Sequence, residues 1–345
     1  IGPDHYGELP SLVQDVIADR LQGRAVTGFD EGKPEDFLPL STISSSGSPS
    51  AFLTIMKGCS RHCAYCIVPS VRGKERYRDV EGIVKEAEQL IAGGAKELFL
   101  LGQTVNSYKK DGVTFAKLLS ILNDLPGLER LRFTSPHPRH MTDDLIDAYS
   151  SLSTLCEAIH LPVQSGSDKI LSAMKRGYTS DFVKAVAQKL RAVNSDFAIS
   201  TDIIVGFPGE SKSDFEDTLR LVEDVRFFGA FSFKYSPRPG TAAAAMEDDV
   251  PSDEKAERLN VLHSLINKIE SEHKNNLVGK ILEVLVEGQA KQPGQLTGRA
   301  RNFQIVNLKQ PEGCIIDDWV GRLVKVEIVR TLPHCLEGVF PGSVT

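Results

Sequence analysis

Apolar positions follow no clear order up to about residue 47 and become regular from Phe52 onward. Short apolar runs at 52–56, 97–101, 130–134, 157–163, 198–205 and 230–235 alternate with stretches in which apolar residues recur every three to four positions. The runs predict strands and the stretches between them predict helices. The clearest helix has Asp79 as N-cap, then Val80, Ile83, Val84, Ala87, Leu90 and Ile91 along one face, and Gly93 and Gly94 to end it. Six strands alternating with helices imply a parallel sheet built from βαβ units. Six units are too few to close an eight-stranded barrel, so the expected fold is α/β, an open partial (β/α)6 barrel. A long helix is predicted over 252–276, with apolar Leu259, Leu262, Leu265, Ile266 and Ile269. Beyond it the helical period disappears, and 280–286, 295–299, 303–307 and 323–329 predict the strands of a small all-β barrel. The expected organisation is a linker over 1–47, a core over 48–272 and the small barrel over 273–340.

Composition changes this picture little. The 345 residues are 41% hydrophobic and 25% charged, enough for two or three cores. A net charge of −6 gives no global nucleic-acid signature. Residues 273–345 carry nine Lys/Arg against seven Asp/Glu, a local net of +2. Any basic contact with RNA is therefore expected from a local patch. No apolar run spans a bilayer and no signal peptide opens the chain, which predicts a cytoplasmic protein with no membrane partner. Of the six cysteines, Cys59, Cys63 and Cys66 are clustered, while Cys156, Cys314 and Cys335 are dispersed. That pattern fits one metal site in a reducing compartment rather than a disulfide framework.

Polar motifs follow each predicted strand, where parallel barrels carry their chemistry. They include 57–66 after the first strand, 102–108 after the second, 135–138 after the third and 164–167 after the fourth. The fifth leads into 206–210 and the sixth into 236–241. The sharpest is C-x3-C-x2-C at Cys59, Cys63 and Cys66. Three thiolates serve three irons of a [4Fe-4S] cluster and leave the fourth open to chelate the amino and carboxylate groups of S-adenosylmethionine (SAM). The alternative is a structural zinc, with His62 as its fourth ligand.

The cysteine loop resembles that of the radical SAM superfamily, whose core is a TIM-like partial barrel. The segments 58–78 (GCSRHCAYCIVPSVRGKERYR), 101–108 (LGQTVNSY), 160–167 (HLPVQSGS), 201–210 (TDIIVGFPGE) and 234–241 (KYSPRPGT) resemble the radical SAM methylthiotransferases. Segment 296–307 (LTGRARNFQIVN) resembles their TRAM domain, an RNA-binding barrel. LGQTVNSY is most similar to the MiaB type, which adds a methylthio group to C2 of N6-isopentenyladenosine next to the tRNA anticodon. The resemblance implies that Cys59, Cys63 and Cys66 hold the cluster and that the Tyr65 backbone meets the adenine of SAM. It places Gly102 and Gln103 at the SAM amino group, and Gln164, Ser165 and Asp202 at its ribose or carboxylate. Gln164 and Ser165 are also candidates for capping the next helix, whereas Asp202 is polar within an apolar strand, which favours a ligand.

The run Arg72, Lys74, Arg76 and Arg78 beside the loop is a candidate for RNA phosphates or a solvated charged loop. Arg299, Arg301 and Phe303 combine cations with an aromatic, which suits RNA backbone and base stacking. His137, between two prolines, is expected to pack in a turn, and Trp319 to fill the small barrel. By resemblance the partners are tRNA and a reductant such as flavodoxin or ferredoxin, with the protein a monomer. Family members carry an N-terminal domain whose three further cysteines hold a second [4Fe-4S] cluster. These 345 residues lack it, with Gly2-Pro3-Asp4 resembling the junction just after it, and by themselves they are expected not to transfer sulfur. The rival readings are a methylthiotransferase for threonylcarbamoyl-adenosine in tRNA, a RimO-type enzyme modifying a ribosomal-protein aspartate, and a non-catalytic zinc-containing RNA-binding module.

Overall fold

The computed structural model of the protein describes residues 2, 7–18, 20, 48–311, 313 and 315–341. Cys314 and most of the expected 1–47 linker lie outside the described residues. Within that linker the structure has a helix, Leu9–Ile17, where none was predicted. Pro10 presets its first turn, and its apolar positions fill barely two turns, too few to register as a period.

From Ser50 the expected alternation is present. The strands are β1 (Ser50–Thr54), β2 (Glu97–Leu101), β3 (Arg130–Phe133), β4 (Ala158–His160), β5 (Ala198–Val205) and β6 (Gly229–Lys234). β1, β2 and β3 form one parallel sheet, and β4, β5 and β6 a second. A bridge between Leu131 and Leu155 joins them. Among the described residues β1 and β6 do not pair, so the barrel is open as expected. β4 is shorter than predicted because the chain turns out of the sheet at Pro162, which has no amide to donate.

Helices cover the outer face. α1 (Val80–Ala92) starts at Asp79, whose carboxylate accepts from the Gly82 amide at 2.6 Å, and buries Ile83, Ala87 and Leu90 against the sheet. α2 (Phe115–Asn123), α3 (Asp143–Ser151), α4 (Ser180–Val193) and α5 (Lys212–Val225) follow the next strands. The 24-residue α6 (Ser252–Asn275) closes the core and buries Leu262, Ile266 and Ile269. Alternation along each strand sorts side chains between two faces. Ile199, Ile203 and Val205 of β5 are buried beneath the helices, while Ser200, Asp202 and Ile204 face the barrel interior and are only partly covered.

After α6 come β7 (Ile281–Gln289), β8 (Gln295–Ala300), β9 (Ile305–Lys309), β10 (Leu323–Thr331) and β11 (Leu336–Val339), a closed five-stranded barrel. Four of these strands were predicted. The fifth, β11, is only four residues long, yet it pairs with both β9 and β10 and closes the ring. Phe303, expected in a strand, instead sits in the turn before β9 at φ +69°. The barrel core is Val284, Val286, Leu296, Val306, Leu308, Val326, Ile328 and Leu336, with Trp319 packed at its margin against Phe340. A Cβ on Gly298 would lie 2.2 Å from the Leu285 carbonyl oxygen. The substitution Gly298→Val is therefore expected to cost about 1–3 kcal/mol through overpacking, measurable as an earlier thermal transition by circular dichroism.

Candidate active site

Met56–Lys57 pairs antiparallel with Arg76–Tyr77 and closes residues 58–75 into a loop beyond β1. Gly58 permits the closure. Its φ is +75°, and a Cβ there would lie 2.0 Å from the Lys74 carbonyl oxygen. The Cys59 amide donates to the Gly73 carbonyl at 3.0 Å, and the Cys66 amide to the Cys63 carbonyl at 3.1 Å. The loop is also tied to the rest of the barrel through Ala64, whose amide donates to Met174 and whose carbonyl accepts from Ala243. Cys59 is buried; Cys63 and Cys66 are partly exposed, and all three are free thiols.

Hydrogen-bond donors surround the sulfurs. The Arg61 amide donates to Cys59 Sγ at 3.4 Å, and Thr104 Oγ1 lies 3.3 Å from the same sulfur. Arg176 Nη1 donates to Cys63 Sγ at 3.3 Å. Arg176 is buried and fixed: Nη2 donates to the Pro162 carbonyl at 2.7 Å and Nε to the Tyr178 hydroxyl at 2.8 Å. Burial works against its charge, but Tyr65, Tyr178 and Cys63 raise its pKa. Burial pushes the Cys66 thiol up, against a bond from the Val68 backbone.

An amide, a hydroxyl and a guanidinium beside the sulfurs suit thiolate ligands. Among the described residues, no three His, Cys, Asp or Glu side chains converge where a single ion could touch them all. His62, which a zinc site would need, is exposed. A closed four-ligand zinc site is thus not assembled by these side chains, whereas three thiols on separate irons of a cluster need no common point.

The residues expected at SAM lie on the loops beyond β1, β2 and β4 and, for Asp202, within β5. Tyr65 packs in an apolar cluster with Ala64, Ile170, Met174, Phe207, Tyr235 and Ala243. Gly102 is backed by Met56, whose Cγ would be 2.4 Å from a Cβ, and Gln103 is exposed. Gln164 is held at φ +83° by exchange with β5: its amide donates to the Asp202 carbonyl at 2.7 Å and its carbonyl accepts from Ile204 at 2.9 Å. A glutamine there is strained and over-determined by its neighbours, a common feature of functional sites. Ser165 is turned toward α5: its hydroxyl lies 3.3 Å from Thr218 Oγ1 and accepts from the Ser167 amide at 3.2 Å. Ser167, not Gln164 or Ser165, caps the helix Asp168–Ala173. Asp202 faces the interior, half-buried, 3.1 Å from His160 Nε2, and His160 Nδ1 is 3.0 Å from Ser200 Oγ.

The basic run divides. Arg72 and Lys74 are exposed on the cysteine loop and Arg76 is half-buried in its hairpin. Arg78 is buried, with Nη1 2.6 Å from Glu86 and bonded to the Thr54 carbonyl at 2.8 Å. This corrects its expected place at RNA: its charge is already neutralised inside the core. Arg299, Arg301 and Phe303 likewise do not form an open cationic face. Arg299 pairs with Glu287 at 2.9 Å, Arg301 with Glu157 at 2.8 Å, and the Phe303 ring stacks on Arg299 and Arg132.

Comparison with known proteins gives this geometry a context. The profile of the Radical SAM superfamily matches residues 53–222, and that of the TRAM domain matches residues 276–340. Curated proteins called tRNA-2-methylthio-N(6)-dimethylallyladenosine synthase are similar along nearly the whole chain. That of Burkholderia multivorans is 41% identical over 98% of this chain and 74% of its own. That of Paraburkholderia xenovorans is 42% identical at the same coverage, and that of Saccharophagus degradans 40% over 99% and 75%. The chain belongs to this synthase family. The radical SAM core and TRAM barrel expected from the motifs are thereby borne out.

Four residues of this candidate site are not marked out by the sequence. Thr104 lay inside a quoted motif with no role given. Arg176 and Tyr178 follow a short helix far along the chain, and only a lone Arg-Gly-Tyr marked them. Asn106, also in LGQTVNSY, ties two loops: its side chain donates to the His137 carbonyl at 3.0 Å and accepts from the His137 amide at 2.8 Å. His137 packs in its turn as expected and accepts from the Arg139 amide.

Two predictions follow from this geometry. Arg176→Met removes a cation beside a cluster ligand, which disfavours the more negative reduced state. The cluster midpoint should move to lower potential in an EPR-monitored titration; an unchanged or higher midpoint would count against the contact. His137 and His140 are driven down to about 2 and about 4, first by burial and then by nearby arginines. Their folded pKa values lie below the unfolded value near 6.5, so the unfolded chain binds more protons below about pH 6.5. Stability should fall from there as pH drops. His137→Asn, which preserves the cap, should make that acid slope shallower in melting curves taken from pH 7 to 4.

Proposed function

We propose that this protein is a tRNA methylthiotransferase that adds a methylthio group to C2 of N6-isopentenyladenosine next to the anticodon, using a [4Fe-4S] cluster and SAM. The observation that carries the reading is the loop of Cys59, Cys63 and Cys66 with donors directed at its sulfurs, in a chain about 41% identical to synthases named for that product. When bound, the cluster and SAM supply reductive cleavage at the sulfonium, which yields a radical able to take hydrogen from an unactivated C–H bond.

The chain's own residues bind and orient. Cys59, Cys63 and Cys66 hold the irons. The Arg61 amide, Thr104 and Arg176 offset the sulfur charge. The Tyr65 backbone and its apolar cluster form a wall for the SAM adenine. Gly102 and Gln103 border the amino group, and Gln164 and Asp202 the ribose or carboxylate. His160 and Ser200 hold the Asp202 carboxylate in one orientation. The Ser165 hydroxyl is committed to Thr218, so its part is to shape the loop. Arg72 and Lys74, with Arg76 behind them, meet tRNA phosphates beside the cluster, a contact whose strength falls with salt. A flavodoxin- or ferredoxin-like protein delivers the electron to a monomeric enzyme in the cytoplasm. No helix among the described residues is long and apolar enough to cross a membrane.

The test is substrate choice. The anaerobically reconstituted enzyme, joined to the N-terminal second-cluster domain that the resemblance implies as the sulfur source, is given SAM, reductant and one of three substrates: tRNA bearing isopentenyladenosine, tRNA bearing threonylcarbamoyl-adenosine, or the ribosomal protein. Methylthio product is measured by mass spectrometry. The first substrate should be modified at least about 100-fold faster than the others, since a polar carbamoyl group in a site built for an alkyl group leaves polar atoms unpaired. Preference for either of the others would refute the assignment.

A further inference from the structure

Arg130 and Arg132 stand on the inner face of β3, in register with Glu97 and Phe99 of β2. Buried guanidinium groups require partners, and most of the bonds these two make cross to the C-terminal barrel. Arg130, with no exposed surface, donates Nη1 to the Arg299 carbonyl at 2.6 Å and Nη2 to the Glu283 carbonyl at 2.8 Å, with the Glu283 carboxylate at 3.1 Å. Arg132 pairs with the fully buried Glu97 at 2.6 Å and donates to the Ala300 and Arg301 carbonyls at 2.9 and 2.8 Å. Arg301 reaches back to Glu157 at 2.8 Å and to the Leu155 carbonyl at 2.8 Å.

The hairpin between β8 and β9 therefore lies across the inner face of the catalytic barrel. Its tight turn is closed by the Ala300 amide donating to Gln304 and the Phe303 amide donating to Ala300. The turn holds Phe303 at a φ that phenylalanine rarely adopts. The ring is thereby directed out of its own domain, edge-on to Phe99 at 5.8 Å, and Phe99 meets Phe52 of β1 at 5.6 Å. The contacts reach from β1, through β2 and β3, to the segment entering β4. Opening such a seam would strand buried charges, which resists sliding far more than an apolar contact does.

We infer that this hairpin is a fixed wall of the catalytic barrel, and that Arg130 and Arg132 are positioning residues that hold the RNA-binding domain at one set distance from the cysteine loop. The inference rests on the proposed function for what the small domain carries. RNA gripped by a tethered domain would sample many distances from the cluster. RNA gripped by this one is presented at one, so that each SAM cleavage meets a placed adenine. The arginines thus act on coupling between cleavage and product, not on cleavage itself.

The test uses reconstituted, cluster-loaded enzyme joined to that same N-terminal second-cluster domain, and two readouts. One is the ratio of 5′-deoxyadenosine formed to methylthiolated adenosine; the other is small-angle scattering. The double variant Arg132→Met with Glu97→Gln removes both buried charges together. It should keep its iron and its SAM cleavage, raise the ratio by about 10- to 100-fold, as misplacement of a reacting group does, and increase the radius of gyration. Arg132→Lys, which keeps charge but loses the planar fork, should fall between. If the double variant does not fold, Arg301→Gln cuts the seam from the opposite side and should shift both readouts in the same direction. An unchanged ratio and unchanged scattering in a folded variant would overturn the inference. Failure of the wild type to modify tRNA would defeat the proposed function instead, and scattering alone would then decide whether the wall exists.

Discussion

Three cysteines on one eight-residue turn would repel one another as thiolate ligands of a cluster, and the rest of the active end is arranged around holding them. Arg176 answers most directly, with a buried charge against Cys63. Its own position depends on the Pro162 carbonyl, which is free because the chain leaves the sheet there. Thr104 brings in the loop after β2 and the Arg61 amide the loop itself. Gly58 is the geometric condition for all of it, since any side chain there would strike the Lys74 backbone and open the loop.

The same strands serve a second purpose on their inner face. On β4 and β5 they present His160, Ser200 and Asp202, partly exposed, with His160 in contact with the other two. Toward the amino ends of β2 and β3 they present Glu97 paired with Arg132, and Arg130 and Arg132 bonded to the C-terminal barrel, with Arg130 Nε left unbonded. One face thus carries open polar groups where a ligand is expected and buried, cross-linked ones where a domain is docked. Strand register separates the two by only a few residues, which is how a single barrel can be both a reaction chamber and a joint.

Much of this was legible in the sequence. The period of apolar residues located β2 and β5 to the residue, and the Asp79 cap and paired glycines bounded α1. The cysteine spacing located the reactive loop because ligand geometry is local. What was not legible depended on contacts between residues far apart in the chain. Arg176 reaches Cys63 across more than a hundred residues, and nothing in its neighbours marks it. Arg78 resembled an RNA contact as the end of a basic run, and Arg299 and Arg301 because a cation beside an aromatic has the same local appearance whether it faces phosphate or a carboxylate of its own chain. β11 was missed because four residues carry too little alternation to register, although the barrel cannot close without them.

The central claim is that Cys59, Cys63 and Cys66 leave one iron of a cluster open to SAM. EPR of the anaerobically reconstituted and reduced protein, recorded with and without SAM, tests it most directly. The account predicts a [4Fe-4S] signal whose shape changes when SAM is added, and loss of that SAM-sensitive signal when the three cysteines are replaced by alanine. A protein that takes up zinc but no iron, or a cluster signal indifferent to SAM, would contradict it.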